Sequence, residues 1–170
     1  LVLKHPAKKF ETYEDEIQYL ITHDQRNKFI TNLALDLKGN TLILYSRVET
    51  HGAILYEKIN NITHTNRKVF FVHGGVDAEQ RESIREITEN ERNAIIVASY
   101  GTFSTGINIK RLHNVIFASP SKSRVRNLQS IGRVLRKGKD KVKATLYDIG
   151  DDCTYNSRKN YTLNHLIERI

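Results

Sequence analysis

The sequence predicts an α/β fold, a doubly wound and mainly parallel sheet with helices on both faces. Two observations predict it. Five short apolar runs rich in β-branched or aromatic residues recur along the chain, at Thr41–Tyr45, Lys68–Val72, Asn93–Ser99, Asn114–Ala118 and Lys143–Asp148. Helical patterns separate them, at His51–Asn61, Ala78–Thr88 and Ser123–Arg136. Near-continuous apolar strands alternating with helices are buried on both faces, and in such sheets ligands bind beyond the C-terminal strand ends.

Each element has a local reason. Asp77 is the expected cap of the second helix, with Gln80 in the capping-box position. Ahead of the first strand, Tyr13–Leu37 carries apolar residues at Ile17, Leu20, Ile21, Phe29, Ile30 and Leu33, which predicts one or two helices before a Gly39-Asn40 turn. Leu1–Phe10 reads as a tether. At the far end Leu163, Leu166, Ile167 and Ile170 follow helical spacing over Asn160–Ile170. The expected organisation is therefore a head of tether and helices over residues 1–40, a lobe over 41–150 and a C-terminal helix over 151–170, cut short at its end. There is no internal repeat.

Composition narrows the class. The 170 residues contain one cysteine, Cys153, and no methionine. A single thiol excludes a disulfide scaffold and leaves a reduced, intracellular setting as the expectation. A chain without Met, even at its first residue, suggests a fragment of something longer. No stretch approaches the about 18 consecutive apolar residues of a membrane span, so no membrane partner is expected.

The charge is local. Lys122, Arg124, Arg126, Arg133, Arg136, Lys137, Lys139, Lys141 and Lys143 stand against the single Asp140, and this stretch carries the entire net charge of +8. Such clustering suits a phosphate-rich ligand, because each cation placed on a phosphate releases counterions; a solvated basic face is the plain alternative.

Several sites are missing or spurious. The phosphate loop G-x-x-x-x-G-K-S/T is absent. Its nearest imitation, Gly138-Lys139-Asp140, has Arg133 at the earlier glycine position and Asp140 in place of the hydroxyl. Asp15-Glu16-Ile17-Gln18 imitates a magnesium-binding acidic motif but follows a polar stretch, so an exposed first helical turn is expected there. The seven histidines show no metal-ligand spacing, and no metal site is expected. Asp151-Asp152-Cys153 reads as a solvated turn rather than as paired carboxylates or a nucleophile.

The most informative run is Gln129-Ser130-Ile131-Gly132-Arg133-Val134-Leu135-Arg136. Arg133 and Arg136 lie three residues apart near one helix face, with Gln129 one turn earlier. Arginines so placed can fork onto phosphate oxygens and neutralise charge that develops during phosphoryl transfer.

With its neighbours, this run resembles the last motif, Q-x-x-G-R-x-x-R, of the second RecA-like motor lobe of superfamily 2 helicases and translocases. The other landmarks precede it in order. Leu42-Ile43-Leu44-Tyr45-Ser46 resembles the strand that opens the lobe, and His73-Gly74-Gly75 with Gln80-Arg81 resembles the H-G-x-x-x-x-Q-R stretch near the nucleic-acid backbone. Gly106-Ile107-Asn108 is similar to the G-[aliphatic]-D/N motif between nucleotide and nucleic acid. The resemblance covers roughly Thr41 to Asp148. Two departures stand out: Tyr100 replaces a phosphate-binding Thr, leaving Thr102 or Ser104 for that contact, and Val134-Leu135 replaces the Thr-Gly of DEAD-box enzymes, which points to the DNA-directed branch.

The resemblance implies a RecA-like lobe that uses ATP and Mg2+, both bound mainly by an N-terminal motor lobe of the same full-length protein. Arg133, Arg136 and Gln129 would be catalytic, Gly106, Asn108 and Gly132 would line the nucleotide, and Ser46, Arg47, His73, Gly74, Thr102 and Ser104 would hold nucleic-acid phosphates. Without phosphate loop or magnesium carboxylate, the chain alone is expected to hydrolyse nothing. The implied substrate is branched or single-stranded DNA, with an RNA–DNA hybrid as a further partner, in a bacterial or phage-infected cytoplasm. Two rival readings are a stand-alone basic nucleic-acid-binding module without catalysis and a doubly wound enzyme acting on a phosphorylated metabolite.

Overall fold

The structure is a computed structural model in which residues 1–62, 67–73, 77–103, 111–120 and 144–169 are described. Its centre is a five-stranded parallel sheet of order β3-β4-β2-β5-β6. The strands are β2 (Thr41–Tyr45), β3 (Val69–Phe71), β4 (Ile95–Ser99), β5 (Asn114–Phe117) and β6 (Thr145–Asp148). All five fall inside the apolar runs read from the sequence. The central β2 pairs with β4 through Thr41↔Ile95 to Tyr45↔Ser99 and with β5 through Thr41↔Asn114 to Leu44↔Phe117.

Alternation along these strands feeds two cores. Leu42, Leu44, Ile96, Ala98, Val115 and Phe117 pack on one face with Ile84 of a helix over Asp77–Asn90. Ile43, Tyr45, Ile95, Val97, Ile116 and Ala118 pack on the other with Ile30 and Ala34 of a helix over Asp24–Asp36 and with Leu55 and Ile59 of a helix over Ala53–Ile62. In chain order the described helices are α1 (Tyr13–Ile21), α2 (Asp24–Asp36), α3 (Ala53–Ile62), α4 (Asp77–Asn90) and α5 (Tyr161–Arg169). Helices thus cover both faces, as the doubly wound reading requires.

The N-terminal rim of the sheet is tied by one side chain. Gly39 turns at φ +92, where a Cβ would sit 2.6 Å from the His113 ring. Next to it the buried Asn40 donates to the carbonyls of Glu91 (2.8 Å) and Arg111 (2.9 Å) and accepts from the Ala94 N–H (2.9 Å). One amide therefore holds the approaches to β2, β4 and β5 in register.

The structure departs from the sequence reading in four places. The head is more than a tether: β1 (Val2–Lys4) pairs in parallel with β7 (Gly150–Asp152), and the N–H groups of His5 and Lys8 continue the seam to the carbonyls of Asp152 and Cys153. Asp77 is the first residue of α4 rather than its cap, while Gln80 is buried and accepts from the Ser99 hydroxyl at 3.0 Å. Thr12 does cap α1, accepting from the Asp15 N–H at 3.1 Å, but Glu16 in that first turn is fully buried and accepts from the Thr162 N–H at 2.8 Å. Burial raises the Glu16 carboxyl above its ordinary range, and the Thr162 bond offsets part of this. Finally, Asp151 and Cys153 are buried, so no solvated turn exists at that place. Burial first, then the nearby Asp151 and Glu16, push the Cys153 thiol up to about 12, which rules it out as a ready nucleophile. The predicted helix Ser123–Arg136 lies outside the described residues.

Candidate nucleotide and nucleic-acid site

The C-terminal strand ends gather the described candidates on one rim of the sheet. Ser46 and Arg47 follow β2, His73 follows β3, a 3-10 turn over Tyr100–Phe103 that includes Thr102 follows β4, and Ser119 follows β5. Gly74, Ser104, Gly106, Asn108, Gln129, Gly132, Arg133 and Arg136 lie outside the described residues.

Ser119 organises that rim. Its hydroxyl accepts the Ser46 N–H at 3.0 Å, and its carbonyl accepts the Tyr100 hydroxyl at 2.5 Å. The ends of β2, β4 and β5 are thereby joined at one buried residue. Tyr100 is buried with its hydroxyl spent inward, consistent with its departure from the phosphate-binding Thr of the motif.

Behind Ser119 runs a buried relay that no motif announces. The Asn27 Nδ2 donates to the Ile21 carbonyl at 2.8 Å, which orients the amide so that its Oδ1 faces His51 Nε2 at 3.0 Å. His51 must then donate through Nε2 and accept the Ser119 hydroxyl proton at Nδ1, 2.5 Å away. Burial, with the nearby Arg26 charge second, drives His51 down to about 3, so the ring is neutral and this single tautomer satisfies every partner. The relay carries the position of α2 into the backbone that presents Ser46 and Arg47.

Arg26 forms the floor. Its Nε donates to Asp151 Oδ1 at 2.9 Å and its Nη1 to the Ala118 carbonyl at 2.6 Å, with both side chains fully buried. Desolvation alone would raise the Asp151 carboxyl, but Arg26 and a 2.8 Å contact from His5 Nε2 outweigh it and hold the group below its ordinary value. Arg26 thus locks α2 to the end of β5 and to the β1–β7 pair. A signal for it existed in the sequence: Arg26 occupies the stripe of Ile30 and Ala34, four and eight residues on, where a core residue belongs. Phe29, counted among the apolar positions, is on the exposed side instead.

The remaining candidates face outward. Arg47 reaches across to Glu14 on α1, its Nη2 2.7 Å from the carboxylate oxygens, and is about one-third exposed. An exposed pair of this kind contributes little to stability. His73 lies on the Phe71 ring at 4.3 Å between centroids, and Phe71 in turn stacks on Tyr56 at 5.2 Å. The imidazole is therefore propped outward at the start of the His73-Gly74-Gly75 stretch.

Comparison with known proteins bears on the family and the fold. The Helicase conserved C-terminal domain family matches residues 24–138. The chain is 40% identical to the ATP-dependent DNA helicase UvsW of Enterobacteria phage T4 over 175 residues, covering 95% of this chain and 34% of UvsW. Its structure superposes on the crystal structure of T4 UvsW with a TM-score of 0.80 at 38% identity, over 99% of this chain and 37% of that one. A putative ATP-dependent RNA helicase, L396 of Acanthamoeba polyphaga mimivirus, is 34% identical over 116 residues, 66% of this chain and 20% of L396. The C-terminal domain of the DEAD-box protein Dbp5 shares the fold, with a TM-score of 0.59 at 18% identity over 88% of this chain and 78% of that one. The chain spans about a third of the length of UvsW and a fifth of L396. It belongs to the helicase C-terminal domain family, and its RecA-like sheet is the C-terminal lobe of a superfamily 2 helicase.

Proposed function

We propose that the chain is the second motor lobe of an ATP-dependent DNA helicase or translocase that remodels branched DNA: forks, four-way junctions and R-loops. The observation that carries this reading is the 40% identity to a DNA helicase across 95% of the chain. In this reading ATP and Mg2+ are bound mainly by an N-terminal lobe, which supplies the phosphate loop, the magnesium ligand and the water-activating carboxylate. This lobe presents Arg133, Arg136 and Gln129 to the γ-phosphate and lines the nucleotide edge with Gly106, Asn108 and Gly132. Cleft closure assembles these groups, hydrolysis releases them, and the change in lobe spacing moves the strand.

The rim supports the second half of the reading. Ser46, Arg47 and His73 sit on a common edge backed by a rigid buried network, which suits contacts that hold phosphates without reading bases. Gly74, Thr102 and Ser104 complete the proposed set. Forked DNA tests the reading directly. The intact protein should separate the arms of a forked duplex with ATP and fail without it. Equal ATP turnover on forked and linear duplexes, with no strand separation, would reject the branched-DNA assignment.

A further inference from the structure

A cleft of about 640 Å³ lies between the head segment at residues 8–10 and the stretch from Tyr155 to α5. Its lining is unusual in charge. Lys8, Lys9, Arg158 and Lys159 contribute four cations, and among the described residues no carboxylate lines it. No ion pair among the described residues uses any of the four. Lys8 stands over the rings of Phe10 and Tyr19, 5.9 and 5.3 Å from their centroids.

The cleft also displays aromatic faces. Phe10 lines it, and Tyr155 and Tyr161 are 41% and 43% exposed, with the Tyr161 ring held edge-on by Tyr13 at 6.2 Å between centroids. Tyr155 stands on a hydrogen-bonded turn. Tyr155 and Arg158 exchange both backbone hydrogen bonds, at 3.0 and 2.9 Å, around a two-residue turn in which Asn156 (φ 48) and Ser157 (φ 65) both take the left-handed conformation. On the opposite wall, the Lys8 N–H is stitched to the Cys153 carbonyl.

We infer that this cleft, whose lining shares no residue with the motor rim, is an accessory binding site for a single nucleic-acid strand. Cations without carboxylate partners match a phosphate backbone, and exposed rings interleaved with them match unstacked bases. A duplex hides its base faces and would leave Tyr155 and Tyr161 unused. An acidic peptide offers charge but nothing to stack. The site deepens the nucleic-acid-directed reading above and gives the lobe a second hold on the strand while the motor cleft opens.

Photo-cross-linking tests this on the intact protein. The probe is an oligo(dT) strand carrying 5-iododeoxyuridine, with the linked residues located by mass spectrometry. Cross-links at Tyr155 or Tyr161 are expected, together with about tenfold weaker oligo(dT) binding for Tyr155→Ala with Tyr161→Ala. Lys8→Gln with Lys159→Gln should flatten the salt dependence by about 0.7 per lost contact. Cross-links confined to the rim residues would overturn the accessory site and leave the helicase reading standing. Failure of the intact protein to bind DNA at all would overturn both. If poly-glutamate displaces the strand as effectively as unlabelled oligo(dT) at equal charge, the cleft is a site for acidic protein and the inference fails.

Discussion

Arg136→Ala in the intact protein is expected to abolish DNA-stimulated ATP turnover, lowering kcat by about 10³ or more, while DNA affinity changes little. The magnitude follows from the role proposed for the residue. A guanidinium delivered to a transferring phosphoryl group neutralises charge that appears only in the transition state, and removing such a finger costs about 10³–10⁵ in rate. An arginine that merely grips nucleic acid would show the opposite split: weaker DNA binding, with turnover restored at saturating DNA. Arg136→Lys should not rescue the reaction, because a compact ammonium cannot reproduce the bidentate fork. Steady-state turnover and DNA titration, measured on the same preparations, separate the two roles. Unchanged turnover would remove Arg136 from the catalytic set.

The second large effect is on stability. Arg26→Ala should cost about 3–5 kcal/mol, because among the described residues it leaves the buried Asp151 carboxylate with His5 alone beside it and the Ala118 carbonyl without its Arg26 donor. The loss would appear as a lower urea midpoint. Arg26→Lys should recover little, since one ammonium on a flexible stem must satisfy groups that the guanidinium reaches in two directions. Pairing Arg26→Leu with Asp151→Leu should be milder than either change alone, because the double variant strands no charge. A loss below about 1 kcal/mol for Arg26→Ala would mean that water reaches Asp151 and that the cluster is no structural floor.

These two arginines also mark what could be read from the sequence and what could not. The strands were legible because a parallel sheet covered on both faces demands near-continuous apolar runs, and TLILY at Thr41–Tyr45 matches β2 residue for residue. The strand pair β1–β7 was not legible. It is three residues long on each side, and the sequence of β7, Gly-Asp-Asp, is that of an ordinary turn. What buries Asp151 there is a cation 125 residues away in the chain. The proposed motif residues of the candidate site rest on order and spacing, which is local information. The relay of Asn27, His51 and Ser119 was missed because each residue is unremarkable alone, and only the tertiary fold brings together partners 24 and 68 residues apart.

Glu16 teaches the same lesson in reverse. Its place in an acidic first turn predicted exposure, yet the N–H of Thr162, the second residue of α5, turns it inward. Polar residues on a core-facing stripe, such as Arg26 and Glu16, are better read as anchors between distant segments than as solvated positions.

The central claim is that this lobe completes a hydrolytic site whose phosphate-binding half lies in another lobe. ATP turnover by the 170-residue chain alone, with and without forked DNA and beside the intact protein, tests it most directly. The claim predicts no turnover from the chain under either condition and DNA-stimulated turnover from the intact protein; robust hydrolysis by the chain alone would place a complete active site within these residues and contradict it.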